Sequence, residues 1–363
     1  MKSLIVGVNL GGIFFDDNLK EFFMLAESAG AFIADHMIVK RDVPDKKFFI
    51  GSGKVEEIAC LIKELSIEIV LIDTSLSPSQ QRNLELRWGV RVVDRVALIL
   101  DIFAIRAKSH EGKLQVELAQ LQYLSTRLTR LWTHLERQRG GIGMRGPGES
   151  QLEIDRRIIS NKVKSLKERL KKIKSRRVSQ RNLRERNRVF SISLVGYTNS
   201  GKSTLFNLLT KEKTYVANQL FATLDTTSRR VWIDNSNKNI VISDTVGFIR
   251  DLPHNLIDSF HATLHEAISA DLLLHVVDFS NENYREQINN VNNVIKEIGA
   301  SDIPVIMIYN KIDLSNLQPR VEYGLDNTIN SIFLSAAKNT GINGLTDAII
   351  NACNTMGQDI ENF

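Results

Sequence analysis

Apolar and polar positions alternate along the chain in three distinct styles, and each style predicts a different architecture. Up to about residue 105, short apolar runs alternate with segments of helical spacing. Ser3 to Val8 reads as a strand, Leu19 to Ala29 as a helix closed by Gly30, and Ala31 to Val39 as a second strand. Val55 to Leu65 then reads as helix, Ile67 to Ile72 as a buried strand, Pro78 to Trp88 as helix, and Val90 to Val93 as a short strand. This alternation predicts a small βαβα domain around a parallel sheet.

From residue 106 to 188 the period changes. Leu114, Leu118, Leu121, Leu124, Leu128, Leu131 and Leu135 recur at steps of three and four, as one long helix with a leucine seam requires. Ile154, Ile158, Val163, Leu166, Leu170 and Ile173 make a second seam. Between them lies Gly140 to Glu149, five glycines and a proline in ten residues, and Ser150 with Glu153 fits a capping box that starts the second helix. The simplest arrangement is an antiparallel helical hairpin with its glycine-rich tip at 138–149. From residue 189 to 363 strands and helices alternate again. Strands are predicted at Phe190 to Val195, Arg230 to Ile233, Ile240 to Asp244, Leu272 to Asp278, Val305 to Asn310 and Ser331 to Leu334. The fold class is therefore α/β: a small parallel-sheet domain (1–105), a helical hairpin (106–188) and a mostly parallel sheet with helices on both faces (189–363).

Composition sharpens this picture at one point. The net charge of +5 is spread unevenly: residues 151–190 hold fifteen Lys and Arg against four Asp and Glu, whereas residues 191–363 hold twelve against nineteen. A basic excess confined to one segment predicts a local polyanion contact, and Arg137, Arg139 and Arg145 add charge near the tip, where Trp132 and His134 have two readings, packing at the hairpin end or stacking on RNA bases. No apolar run is long enough for a bilayer span and the first ten residues lack signal-peptide character, which predicts a cytoplasmic protein with no membrane partner. Cys60 and Cys353 have no partner spacing and are expected to be buried thiols.

The chemistry concentrates in the last block. Gly196-Tyr197-Thr198-Asn199-Ser200-Gly201-Lys202-Ser203 follows the apolar Ile192 to Val195 and precedes the helical Thr204 to Leu209, the strand, loop and helix setting of a phosphate loop. Backbone amides turn onto phosphate oxygens, Lys202 reaches the outer phosphates, and Ser203 offers a hydroxyl to magnesium. Asn310-Lys311-Ile312-Asp313 ends a strand, where the Asp313 carboxylate can accept both N1–H and N2–H of guanine, a donor pair that adenine lacks. Ser335-Ala336-Ala337, after the next strand, adds amides near the guanine oxygen. Asp244-Thr245-Val246-Gly247 closes a further strand: Asp244 holds magnesium through water and the Gly247 amide meets the γ-phosphate. In Phe221-Ala222-Thr223-Leu224-Asp225, Thr223 is the candidate switch threonine on magnesium, with Thr226 and Thr227 as neighbours able to serve instead. These residues predict a GTPase in which Lys202, Thr223 and Gly247 serve catalysis and Ser203 and Thr223 ligate Mg2+. Phe248 cannot orient a water, so turnover of the isolated protein should be slow. Asn199 has two readings: a ligand for K+, or a brace for the loop.

With these residues in place, the chain resembles the HflX family of ribosome-associated GTPases over essentially its whole length. The resemblance rests on Phe49-Ile-Gly-Ser-Gly-Lys-Val-Glu-Glu57, on Asp94-Arg-Val-Ala-Leu-Ile-Leu-Asp-Ile-Phe103, and on the glycine stretch continuing into Glu149-Ser-Gln-Leu-Glu153. It implies a protein that binds the large ribosomal subunit and its rRNA through the first two segments, acts as a monomer off the ribosome, and uses GTP to split or rescue stalled ribosomes. Met144 and Ser150 stand where the family usually has Thr. The alternatives are a GTP-gated RNA-binding module or assembly chaperone with incidental hydrolysis, and an RNA-modifying GTPase, which the absence of a suitable Cys or carboxylate constellation disfavours. Gly51-Ser-Gly-Lys54 lacks the spacing and the following hydroxyl of a second nucleotide loop and reads as a turn before the Val55 helix.

Overall fold

A computed structural model describes residues 1–12, 14–131, 151–186, 189–211, 220–221, 223–224, 227–233, 238–250, 267–324 and 328–361. The chain divides into two compact units, Met1–Lys171 and Lys172–Phe363.

The first unit contains β1 (Lys2–Asn9), α1 (Phe15–Ser28), β2 (Phe32–Lys40), α2 (Ser52–Leu65), β3 (Ile69–Ile72), α3 (Pro78–Trp88), β4 (Arg91–Asp94), α4 (Arg95–Arg106) and α5 (His110–Leu131). The strands form an all-parallel sheet in the order β2-β1-β3-β4, as the alternation of elements predicts. Successive residues of a strand point to opposite faces. Leu4, Val6 and Val8 accordingly join Val55, Ile58, Leu84 and Trp88 of α2 and α3 in one core. On the other face α1 comes so close to β1 that a Cβ at Gly7 would lie 2.8 Å from Leu19 Cδ1. Local chemistry sets the helix ends: Ser77 and Gln80 form a reciprocal capping box with Pro78 in the first turn, and Gly89 closes α3 at φ 70°.

The periodicity reading passed over α4, because Leu98, Ile99, Leu100, Ile102 and Phe103 are all buried and leave no contrasting polar face. Its start is instead marked by a pair of buried charges. Asp94 caps α4 through Ala97 N–H (2.8 Å) and also accepts from Leu76 N–H (3.1 Å), the Tyr123 hydroxyl (2.7 Å) and Arg127 Nη2 (2.8 Å). Arg95, 1% exposed, donates to Asp73 at 2.8 Å and to Glu21. The Asp-Arg of the family-like motif is thus a structural bolt that ties α1, β3, β4 and α5 together.

The leucine seam needs one correction. Leu114 and Leu118 are buried, and α5 packs on α3 and α4, so the first half of the seam faces the sheet domain; Leu124 is 47% exposed. In α6 (Gln151–Arg186) only Leu166 of the second seam is fully buried, while Ile158 is 48% exposed. Periodicity identifies an apolar face but not what covers it. Leu135, Trp132, His134, Arg137, the 138–149 tip and Ser150 lie outside the described residues. Gly51-Ser-Gly-Lys54 forms the start of α2 rather than a turn, with Lys54 paired to Glu57 at 2.6 Å. Cys60 is exposed, contrary to expectation, and Cys353 is buried.

The second unit contains β5 (Phe190–Val195), α7 (Lys202–Thr210), β6 (Thr227–Ile233), β7 (Lys238–Asp244), β8 (Leu272–Asp278), α8 (Tyr284–Glu297), β9 (Val305–Asn310), β10 (Arg320–Tyr323), β11 (Ile329–Phe333) and α9 (Ile342–Glu361). Its sheet runs β10-β11-β9-β8-β5-β7-β6, parallel except for the two edge strands. Strand β10 was not foreseen, since the mostly exposed Arg-Val-Glu-Tyr carries almost no buried pattern. One face packs Ile192, Leu194, Leu274 and Ile308 against Leu205 and Phe206 of α7 and Leu345 and Ile349 of α9. Strands β5, β7, β8 and β9 all point their carboxyl ends to one edge, where ligands of such sheets bind.

Two predictions follow from the buried charges. Arg95→Met removes the buried cation that Asp73 and Glu21 share and should cost ~3–5 kcal/mol in urea unfolding of the whole chain. His275 in β8 is 1% exposed, and burial, aided by the nearby Lys202 charge, pushes its pKa from 6.5 down to about 4. Below pH 6.5 the unfolded chain takes up a proton that the folded chain refuses. Stability should therefore fall as pH drops from about 6.5 to about 4, by about 3 kcal/mol in total. His275→Leu should flatten that part of the stability curve.

Candidate functional site

The loop between β5 and α7 is shaped by close backbone approach. Gly196 (φ 149°) and Gly201 (φ 95°) adopt conformations that side chains rarely tolerate. A Cβ at Gly196 would lie 2.2 Å from the Val276 carbonyl oxygen, and one at Gly201 would lie 2.2 Å from Asn310 Nδ2. Asn199 is also left-handed, at φ 59°, and half-buried. Lys202 opens α7 and turns its Nζ back to the Gly196 (3.0 Å) and Tyr197 (2.7 Å) carbonyls. Burial lowers its pKa to about 8; the Asp244 carboxylate opposes that shift and the Lys311 charge adds to it. Thr198 Oγ1 and Ser200 Oγ are buried with no hydrogen-bond partner among the described residues. Buried polar atoms of this kind call for a ligand or water.

Next to the loop, three side chains from separate elements meet. Ser203 Oγ lies 2.7 Å from Asp244 Oδ2 and 2.7 Å from Thr223 Oγ1, and Thr223 Oγ1 donates to the same Oδ2 at 2.9 Å. Burial raises the Asp244 pKa, while the bonds from Ser203 and Thr223 oppose the shift, and its Oδ1 has no partner among the described residues. Two hydroxyls and a carboxylate make an all-oxygen donor set of the kind a hard divalent cation takes, with phosphate and water completing the shell. Thr223, rather than Thr227 in β6, is the threonine brought to this cluster. Thr226, Ala222 and Asp225 lie outside the described residues; Phe221 (φ 56°) and Leu224 are buried beside Thr223.

The Asp244-Thr-Val-Gly247 segment lies against the loop. Thr245 Oγ1 donates to the Leu194 carbonyl at 2.6 Å, and Val246 is buried, so both side chains anchor the segment. A Cβ at Gly247 would lie 2.8 Å from Thr198 Cα and 3.0 Å from Lys202 Nζ. Only glycine fits there, which leaves the Gly247 amide at the outer-phosphate end of the loop. Phe248 is 3% exposed, its ring sealed in the interior.

At the far end of the loop, Asn310 Nδ2 donates to the Ser200 carbonyl (2.9 Å) and Asn310 Oδ1 accepts from Ala336 N–H (2.9 Å). Ser335 Oγ donates to Asp313 Oδ1 at 2.6 Å and accepts from Lys338 N–H at 3.1 Å. The phosphate loop and both base-edge motifs are thereby joined in one hydrogen-bonded frame. Ile312 is buried and Ala337 exposed. One residue escaped the sequence reading. Asp278 accepts from Lys311 Nζ at 2.6 Å and holds that lysine beside the loop; its signal was its place at the end of β8, equivalent to those of Asp244 and Asn310. Tyr197 was expected only as a member of the phosphate loop; the structure adds a contact of its hydroxyl, which accepts from Arg250 N–H at 2.9 Å.

Comparison with known proteins agrees with this geometry. Three family profiles match in tandem: "GTP-binding GTPase N-terminal" over residues 16–104, "GTP-binding GTPase Middle Region" over 106–184, and "50S ribosome-binding GTPase" over 191–311. The GTPase HflX of Escherichia coli (strain K12) is 49% identical over 334 residues, 92% of this chain and 78% of the relative. GTPase HflX of Flavobacterium psychrophilum is 46% identical over 315 residues, covering 86% and 75%. Among solved structures, the SsGBP–GDP complex aligns over 98% of this chain and 99% of its own, at 26% identity and a TM-score of 0.55. With the nucleotide motifs, the three profiles in order and relatives alike over most of their length, the chain belongs to the HflX family of GTPases, and it hydrolyses GTP.

Proposed function

We propose that this GTPase works on the large ribosomal subunit, where its GTP state controls how the basic helical segment engages rRNA, and that it splits or rescues stalled ribosomes in the cytoplasm. The observation that carries this reading is the placement of charge. Helix α6 presents Arg156, Arg157, Lys162, Lys164, Lys167, Lys171 and Lys172 to solvent and runs within four residues of β5, the strand that feeds the phosphate loop. Lys164, Lys167 and Lys171 line a shallow groove along one side of the helix, spaced to meet successive phosphates of an RNA backbone. The match of residues 191–311 to a 50S ribosome-binding profile and the HflX names of the relatives support the choice of partner. We assign three working segments, 1–105, 106–188 and 189–363, with the chain a monomer off the ribosome.

In this reading the amides of 196–203 cradle the phosphates, Lys202 and the Gly247 amide hold the outer phosphate, and Asp313, with Ser335 and Ala336 behind it, selects guanine. Ser203 and Thr223 would ligate Mg2+, and Asp244 would hold it through water. The ion supplies charge neutralisation for the triphosphate and the developing negative charge. The residues present fit it: Ser203 and Thr223 bring their hydroxyls to one buried carboxylate. Since Phe248 is sealed away, water orientation falls to another group, and the isolated protein should turn over slowly. The ribosome is the natural source of acceleration.

The test is a comparison of binding and hydrolysis across purified large subunits, intact ribosomes and naked rRNA fragments over a salt series. Large subunits should bind the form held by a non-hydrolysable GTP analogue more tightly than the GDP form. The affinity should fall by about 10-fold or more between 50 and 200 mM salt, and GTP turnover should rise at least ~10-fold. Equal affinity for naked RNA with no stimulation would favour the GTP-gated RNA-binding module, and salt-independent binding would remove the basic helix from the account.

A further inference from the structure

Phe248 holds the position that follows Gly247, yet with a buried ring its useful chemistry lies in its backbone. Its N–H donates to the Gly196 carbonyl at 3.1 Å and its C=O accepts from Thr198 N–H at 2.7 Å, a two-bond rung of parallel pairing between the phosphate loop and the segment after β7. Two residues further on, Arg250 N–H donates to the Tyr197 hydroxyl at 2.9 Å. The Tyr197 ring is 7% exposed, so this third bond lies in a largely dry environment, where a hydrogen bond fixes geometry more firmly than in water.

These three bonds pin the segment on the carboxyl side of Gly247. The amino side is already pinned, by Thr245 to the Leu194 carbonyl and by Asp244 to Ser203 and Thr223. Gly247 between them has no room to shift toward the loop, because even a Cβ would strike Thr198 Cα. The clasp coexists with Thr223 seated on Ser203 and Asp244.

We propose that Tyr197 is a positioning residue for GTP hydrolysis: through Arg250 N–H its hydroxyl completes a clasp that holds the Gly247 amide at the γ-phosphate. This rests on the phosphate-site reading given above. Donors aimed in advance at developing charge cost no reorganisation during the reaction, and a backbone held at both ends meets that condition. Where a polar side chain at position 248 could otherwise have held the segment by touching the reacting water, here a tyrosine of the loop holds it from behind. Tyr197 touches no reacting atom, so its loss should act on the rate and spare the binding of GDP, which has no γ-phosphate.

The experiment uses the full chain with Tyr197→Phe, which keeps the ring and removes the hydroxyl, and Lys202→Ala as the control on the site itself. Three quantities are read: GDP affinity, single-turnover GTP hydrolysis, and amide exchange at Arg250 with a non-hydrolysable GTP analogue bound. For Tyr197→Phe, GDP affinity should stay within about twofold of native, because the backbone amides of the loop are kept and GDP has no γ-phosphate to meet the Gly247 amide. Hydrolysis should slow by ~3–10-fold and Arg250 amide exchange should quicken by a similar factor, the range that one hydrogen bond sets. Native rate and native exchange would overturn the proposal, as would a faster rate, which would make the clasp a restraint. A parallel loss of GDP affinity and rate would also overturn it, by making Tyr197 a general support of the loop. If Lys202→Ala bound GTP like the native protein, the phosphate-site reading would fail first and the clasp with it.

Discussion

One buried carboxylate organises the nucleotide-binding unit. Asp244 stands at the end of β7 with 2% exposure, where a lone charge would be costly, and two hydroxyls from different elements share its Oδ2. Ser203 comes from the first turn of α7, and Thr223 comes from the connection between α7 and β6. The need to satisfy that carboxylate thus brings the helix, the switch threonine and the Gly247 segment to one point. The Lys202 ammonium is buried a short way off; burial raises the Asp244 pKa and lowers that of Lys202, and the two charges oppose each other's shift. A magnesium–triphosphate pair inserted here would replace hydrogen bonds that already hold the right atoms together.

The guanine end shows the same economy. Asn310 ties the loop to the Ser335–Ala336 turn, and Ser335 steadies Asp313, so base and phosphate recognition share one frame and neither can shift alone. Lys311 joins that frame through Asp278. In the first unit a different polar pair does comparable work. Asp94 and Arg95, adjacent in sequence, face different partners and join α5 and α1 to the sheet. Motifs specific to this family can therefore be architectural, and Asp94-Arg95 is one such case.

How much could be read in advance followed the physics of each signal. Strands Phe190–Val195, Leu272–Asp278 and Val305–Asn310 and helix Pro78–Trp88 match their predicted bounds, because each has an apolar run or a cap ended by a change of chemistry. The phosphate loop was legible because backbone amides must converge on phosphate, which constrains consecutive residues. Helix α4 was missed for lack of a polar face, and β10 for lack of a buried one. The leucine seam announced a helix at Leu114 to Leu131 but not that Leu118 would pack toward the sheet domain while Leu124 stayed exposed. Asp278 and the Tyr197 hydroxyl act through a lysine side chain and a backbone amide far along the chain, and spacing alone does not encode such pairings.

In the proposed function, Thr223 works through its place on the shared Asp244 carboxylate beside Ser203. Thr223→Ala removes one of the carboxylate's two hydroxyl partners and leaves Ser203, the loop and the guanine frame untouched. The decisive measurement is GDP affinity and single-turnover GTP hydrolysis of that variant across a magnesium titration. The account predicts GDP binding within about threefold of native and hydrolysis reduced by at least ~10-fold, with no recovery at high magnesium. Hydrolysis at the native rate would contradict it.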